Sequence, residues 1–556
     1  MNFKEKPFML NEEDIAWVNQ TYEAMTEEEK VGQLFFPIGY SSHHDYLKYN
    51  ILDKHPGGLL FRTGSRDEMF DTYTFLQEEA KVPMLLSANL EAGGDGIVHE
   101  GTPFGKQLQV SAANDPVHAY RLGKVCAKEG KAVGCNYAFA PVVDIDMNFR
   151  NPITNVRTYG NDPEKVLQYA REYIRACNEE GMLVSPKHFP GDGVDERDQH
   201  ILTSVNSLSK DEWDQTYGMI YKSLIEDGVK TIMAGHIALP AYQSEEEKYL
   251  PATLSKDILT GLLREKLGFN GLIISDATPM VGFCSAMNRK DAVYTAVMAG
   301  CDMFLFNKDY NEDYQWMLEA YREGKLTKER LEEAVKRILE LKASMGMHKK
   351  DNRPSKENLE TVGCELHKSW MKECADKAVT LVKDTQNLLP VSSKKYPKVL
   401  YQIIGDCDSN ARVEKTFTEE MTKRGYQMIP YEREVFDFAK PLPFDSVTEF
   451  RNKYDLVVYI GNIENASNKT VNRINWYALF GLGNNIPWFV KEVPTVFISL
   501  QNPYHLFDVP MVKTYVNCYS NHDEMIRTVV GKINGESEFK GVNPVDPFCG
   551  REELRR

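Results

Sequence analysis

The chain lacks any run of 18 apolar residues, so no segment reads as a membrane-spanning helix. Its opening stretch, from Met1 to Trp17, holds no apolar block of the length a secretory signal needs. Positive charge is in short supply: 66 Lys and Arg stand against 81 Asp and Glu, for a net charge of −15. That balance argues against general binding to nucleic acid or to anionic membranes, and no basic patch of useful length offsets it. Cysteine is thinly spread, with ten residues and no CxxC pair. The pattern suits reduced thiols rather than a disulfide framework or a zinc ribbon. Short-period repeats and low-complexity tracts are also missing. These absences predict a cytoplasmic protein with no membrane and no nucleic-acid partner.

What is present is an ordinary globular composition, 42% hydrophobic and 26% charged, over 556 residues. That length predicts two or three domains. Up to about residue 345, short apolar runs alternate with longer amphipathic ones. The expected strands are Gly58–Arg62, Met84–Ala88, Tyr137–Val143, Leu183–Lys187, Thr231–Ala234, Gly271–Ser275 and Met303–Phe306. Helical patterns lie between them, including Asp67–Lys81, Asp162–Glu180, Lys210–Asp227 and Ser255–Leu267. Buried strands followed by amphipathic helices signal a parallel α/β sheet. Seven or eight such units fit a (β/α)8 TIM-like barrel better than an open sheet.

The polar, proline-containing segment Gly346–Glu357 begins a linker. A second α/β region follows, with strands expected at Lys398–Ile404, Leu456–Gly461 and Thr495–Leu500. The expected division is a catalytic barrel over 1–345, a linker over 346–374 and a smaller C-terminal α/β sandwich over 375–556.

Polar residues gather just past successive strand ends: Asn89 and Glu91, Asp144, Lys187 and His188, His236, and Asp276. In a barrel those ends share one face, where βα loops build active sites. The stretch Lys187-His188-Phe189-Pro190-Gly191 leaves a strand, and its loop continues to Asp198-Gln199-His200. Side chains two apart on an extended loop share a face, so Asp198 can hold the His200 imidazole and raise its basicity. An ordinary loop histidine satisfied by a neighbouring acid has the same pattern. Asp276 ends a buried apolar strand, where it reads equally as a nucleophile, a metal ligand or a helix cap. Arg157, in Asn155-Val156-Arg157-Thr158-Tyr159-Gly160, suits a hydroxyl-rich substrate but also any capped loop.

Taken together, the Lys-His-Phe-Pro-Gly loop with its Asp-x-His ending resembles glycoside hydrolase family 3, in the β-N-acetylglucosaminidase (β-hexosaminidase) branch. The resemblance runs from Val31-Gly32-Gln33-Leu34-Phe35 to Gly300-Cys301-Asp302 and continues more weakly into the C-terminal region. It implies an exo-acting, retaining enzyme that releases β-linked N-acetylglucosamine from oligosaccharides through a glycosyl-enzyme intermediate. In that reading Asp276 is the nucleophile, His200 the acid/base and Asp198 its orienting partner. Lys187, His188, Arg157, His236, Asn89 and Glu91 are the implied substrate contacts. No cofactor or metal is implied, and the state is a monomer or homodimer.

Two departures from the family pattern stand out. Asn89 replaces a carboxylate, and Gln199 sits inside the dyad where a small hydroxyl residue is common. Gln199 is expected to point away with little consequence. An imidazole acid/base avoids a second negative charge beside Asp276 and repels an anionic acceptor less, so phosphorolysis is the alternative outcome. A metal-dependent TIM-barrel hydrolase using His188, Asp192, Asp195, His200 and His236 is a further reading, and a non-enzymatic sugar-binding protein a third.

Overall fold

The computed structural model describes residues 3–432, 445–479, 482–483 and 485–556. The chain forms two compact units. The first comprises Met1–Phe104, Ala119–Thr154 and Asn161–Lys368; the second comprises Gly105–His118, Asn155–Gly160 and Ser369–Arg556.

The first unit is a closed ring of parallel pairings. Ile38–Gly39 pairs with Gly58–Phe61, which pairs with Leu85–Ala88, then Tyr137–Ala138, then Leu183–Val184. Past Val184 the ring continues through a parallel bridge from Phe189 to Ala234. Thr231–Ala234 pairs with Leu272–Ser275, and Ile274 bridges to Met303. Phe304–Leu305 closes the circle on Phe35–Phe36. This is the expected (β/α)8 barrel. Its interior is filled by Phe36, Leu60, Leu85, Tyr137, Met233, Leu272 and Ile274, all buried in one cluster.

The first barrel strand is absent from the sequence-based expectation. Pro37 splits it into Phe35–Phe36 and Ile38–Gly39. Proline has no N–H for the ladder, so the run reads as a break instead of a strand. The helices follow their sequence signals closely. Asp162 caps Pro163–Glu179 by accepting from the N–H groups of Glu164 and Lys165, with proline in the first turn. Thr327 caps Lys328–Ser344, which buries Leu331, Val335, Ile338 and Leu341. The expected helix Ser255–Leu267 appears over Asp257–Lys266 with the wider turns of a π-helix.

A buried ionic hub sits at the N-terminal side of the last barrel strand. Asp302 accepts from Arg264 at 2.6 Å, Arg330 at 2.8 Å and Arg337 at 3.0 Å, and from the Ile273 N–H at 2.9 Å. Burial opposes its charge, but the guanidiniums of Arg337, Arg264 and Arg330 outweigh that and hold its carboxyl at about 2.

The second unit carries a six-stranded mixed sheet. Its order is Thr380–Asp384, Thr514–Asn517, Thr495–Ser499, Leu456–Gly461, Lys398–Ile404 and Gln427–Pro430, with only the first strand antiparallel. The strand Gln427–Pro430 lies at the edge and is only partly buried, which left it without an apolar signal. Part of the stretch read as linker is ordered: Lys356–Thr361 is a 3-10 turn, and helix Glu365–Ala378 begins before residue 374. Among the described residues, no helix is long and apolar enough to cross a membrane.

Candidate active site

The site is built on the C-terminal ends of the barrel strands. Leu272–Ser275 delivers Asp276, whose main-chain N–H donates to the Ala234 carbonyl at 2.7 Å on the neighbouring strand. One carboxylate oxygen accepts from the Ala277 N–H at 2.7 Å. The other stands 3.8 Å from Nε2 of His188. Burial alone would raise the Asp276 carboxyl, but His188, His236, His200 and the Ala277 N–H together hold it below the ordinary carboxylate value. Its side chain retains 13% exposure, so it is reachable and ionised at once.

His188 is oriented from behind. Its Nδ1 lies 2.7 Å from Asp144 Oδ2, and its main-chain N–H donates to Asp144 Oδ1 at 3.0 Å. Asp144 accepts the Nδ1 proton, which leaves Nε2 as the ring nitrogen facing Asp276. The Asp192 N–H adds a third bond to Asp144 at 2.9 Å. Burial and the neighbouring Asp144 carboxylate push the Asp192 carboxyl up.

Asp198 and His200 do meet. Asp198 Oδ1 accepts from the His200 main-chain N–H at 2.9 Å and lies 2.6 Å from Nδ1. Asp198 is fully buried, whereas the His200 side chain keeps 21% exposure. With Nδ1 turned to the buried Asp198, Nε2 is the ring nitrogen that the dyad leaves unengaged. Lys187 is almost fully buried and pairs with Glu91 at 2.6 Å; its Nζ also donates to Asn89 Oδ1 at 3.4 Å. These three residues, from two different strands, form one polar cluster.

Two residues have places that the sequence did not foretell. His236, expected among the substrate contacts, is fully buried and both ring nitrogens are engaged. Nε2 donates to the Ala277 carbonyl at 3.0 Å, and Nδ1 accepts from Thr253 Oγ1 at 2.9 Å. Burial holds His236 at about 4, against the pull of Asp276, so the ring is neutral near pH 7. It braces the residue after Asp276 and has no nitrogen left for a sugar. Gln199 does point away from the exposed edge of the dyad, but into a buried junction. Its Oε1 accepts from the His236 N–H at 2.7 Å, and its Nε2 donates to Asp192 Oδ2 at 3.3 Å. Asp144 and Thr253 complete the support; the strand-end position of Asp144 was the one sequence signal for either.

Arg157 lies in the 3-10 turn Asn155–Arg157, in a segment that belongs to the second unit. The three histidines of the metal reading are separately engaged: His188 by Asp144, His200 by Asp198 and His236 by Thr253 and Ala277. Among the described residues, no three of His, Cys, Asp and Glu converge into a metal-binding set.

Comparison with known proteins extends these observations. The Glycosyl hydrolase family 3 N terminal domain matches residues 26–341. A β-N-acetylglucosaminidase/β-glucosidase of Cellulomonas fimi is 43% identical over 98% of both chains. The structure of the β-glucoside phosphorylase BglX superposes with a TM-score of 0.93 at 40% identity, covering 99% of each chain. A family 3 β-N-acetylglucosaminidase from a Paenibacillus species shares the fold at 23% identity, with a TM-score of 0.77 over 94% of this chain and 99% of that one.

Proposed function

We propose, from the premise that this chain is an enzyme belonging to glycosyl hydrolase family 3, that it cleaves terminal β-glycosides of N-acetylglucosamine or glucose with retention and passes the glycosyl group to phosphate. The observation that carries the reading is the Asp198–His200 pair, an imidazole where a retaining glycosidase ordinarily uses a second carboxyl group.

In the first step the Asp276 carboxylate attacks the anomeric carbon. The glycosidic C–O bond breaks, and the departing oxygen takes the proton from Nε2 of protonated His200. Asp198 keeps the Nδ1 proton in place and stabilises the cationic ring. Lys187, with Glu91 and Asn89, supplies donors and acceptors for sugar hydroxyls, and His188 is the other proposed contact. In the second step an acceptor oxygen attacks the same carbon from the opposite side, the bond to Asp276 breaks, and neutral His200 accepts the acceptor's proton. At that moment a carboxylate acid/base would carry negative charge and repel phosphate, whereas neutral imidazole does not. The similarity to the phosphorylase BglX over almost the whole chain supports the same acceptor.

The test is turnover with and without phosphate. The expected result is a faster reaction with phosphate and a sugar 1-phosphate product of retained configuration. No effect of phosphate on rate or product overturns the reading. Hydrolysis is the second reading, favoured by the glycosidase name of the Cellulomonas relative; it shares the first step and uses water in the second. Nitrophenyl glycosides of GlcNAc, glucose, xylose and GalNAc separate the sugar preferences. A cytoplasmic location remains part of the proposal, and the ten free cysteines support it.

A further inference from the structure

The opposite, N-terminal face of the barrel carries a feature that the reaction does not use. A cavity of about 330 Å³ opens where the strands Leu183–Val184 and Thr231–Ala234 begin. Met182, Val229, Lys230, Ser344 and Lys350 are among its walls. Cavities of roughly 300 Å³ and above are large enough for a small ligand.

Its electrostatics depart from those of the chain as a whole. The protein carries a net charge of −15, yet lysines crowd this end. Lys230 donates to the Ser344 carbonyl at 3.2 Å, Lys350 to the Met345 carbonyl at 2.9 Å and nearby Lys131 to the Glu180 carbonyl. Among the described residues none of the three has a carboxylate within ion-pair distance, although the Glu180 charge acts on Lys131 from further off. The acids of the flanking helices are committed elsewhere: Asp227 to Arg171, and Glu179 and Glu180 to Lys124. Burial, reinforced by the charge of Lys350, holds both Lys131 and Lys230 below the ordinary lysine value, with Glu180 opposing the shift at Lys131 alone. Like charges brought together around a recess with little counter-charge are stabilised by an anion that neutralises them.

We propose that this cavity, with Lys230 and Lys350 in its wall and Lys131 beside it, is a second binding site for a small polyanion bearing two or more phosphate or carboxylate groups. Main-chain carbonyls fill one donor position on each ammonium, and at least two donors per lysine remain for the ligand. The site is separate from the catalytic residues, which occupy the C-terminal ends of the same strands. Occupancy here does not compete with substrate.

The experiment measures thermal stability and turnover of the full chain with pyrophosphate and, separately, citrate, against sodium chloride of equal ionic strength. In the wild type, a saturating polyanion raises Tm by about 2–4 °C, and the gain shrinks as salt is added. The double variant Lys230→Gln/Lys350→Gln keeps the stems and amide donors but loses the charges. It retains kcat/KM within about twofold and loses the shift. A response to pyrophosphate alone identifies phosphoryl groups as the ligand chemistry, and a response to both identifies paired anionic charge. No shift in the wild type, or an equal shift in the double variant, overturns the proposal. If the variant itself proves less stable, direct calorimetric binding of pyrophosphate to folded Lys350→Gln, a substitution at an exposed position, decides in its place: unchanged affinity refutes the site, and a tenfold loss supports it.

Discussion

Asp144 holds His188 by two bonds, one to the ring at 2.7 Å and one to the main chain at 3.0 Å, while the other ring nitrogen stands 3.8 Å from Asp276. A single buried carboxylate thus fixes both the tautomer and the position of the imidazole beside the Asp276 carboxylate. Asp144→Asn keeps the shape but replaces one acceptor oxygen by a donor. Where the amide NH2 faces Nδ1, the ring must shed that proton and place it on Nε2, toward Asp276. We expect kcat/KM to fall by about 10–100-fold, the usual loss for a residue that fixes a ligating or reacting imidazole. Steady-state kinetics alongside circular dichroism checks this, and an unchanged kcat/KM would show that the orientation is set elsewhere.

The covalent role proposed for Asp276 has its own signature. Asp276→Ala should lose on the order of 10⁴-fold or more in turnover. In Asp276→Gly, azide should restore part of the rate and yield a glycosyl azide of inverted configuration. Near-normal activity in either variant contradicts a glycosyl-Asp276 intermediate. His200→Ala should slow glycosides with poor leaving groups far more than activated nitrophenyl glycosides, because only the former need protonation. Equal losses across the series would remove the acid role.

Gln199 offers a stability test. Its side chain bridges the His236 N–H and Asp192, both buried. Gln199→Ala leaves a buried N–H without its acceptor and should cost about 1–3 kcal/mol. Urea unfolding measures it, and a change below about 0.5 kcal/mol would mean that the junction repacks.

Asp302 predicts an acid dependence. Its folded value of about 2 lies below the unfolded 3.8, so the native state favours its ionised form. The resulting stability is present above pH 4 and is lost as pH falls toward 2. Asp302→Ala strands three largely buried guanidiniums and should destabilise the barrel by about 3–5 kcal/mol near neutral pH. Unfolding curves of wild type and variant should approach one another between pH 4 and pH 2; a constant gap would assign the loss to packing instead of charge.

The amino-acid sequence by itself determined the barrel class, because buried parallel strands and amphipathic helices leave different apolar periods in the chain. Seven of the barrel strands were legible in this way, and the first was hidden because Pro37 interrupts its ladder. The Asp198–His200 pairing was also legible, since two residues on one loop need no long-range folding to meet. What only the tertiary structure decided are relationships across strands. Asp144 reaches His188 over 44 residues, Lys187 reaches Glu91 from a different strand, and Gln199 reaches the His236 main chain. It also turned His236 from an expected sugar contact into a buried brace, because both of its nitrogens are spent on Thr253 and Ala277. The reason is physical: a polar side chain's role depends on who satisfies its hydrogen bonds, and barrel closure brings those partners from segments that the linear order keeps far apart.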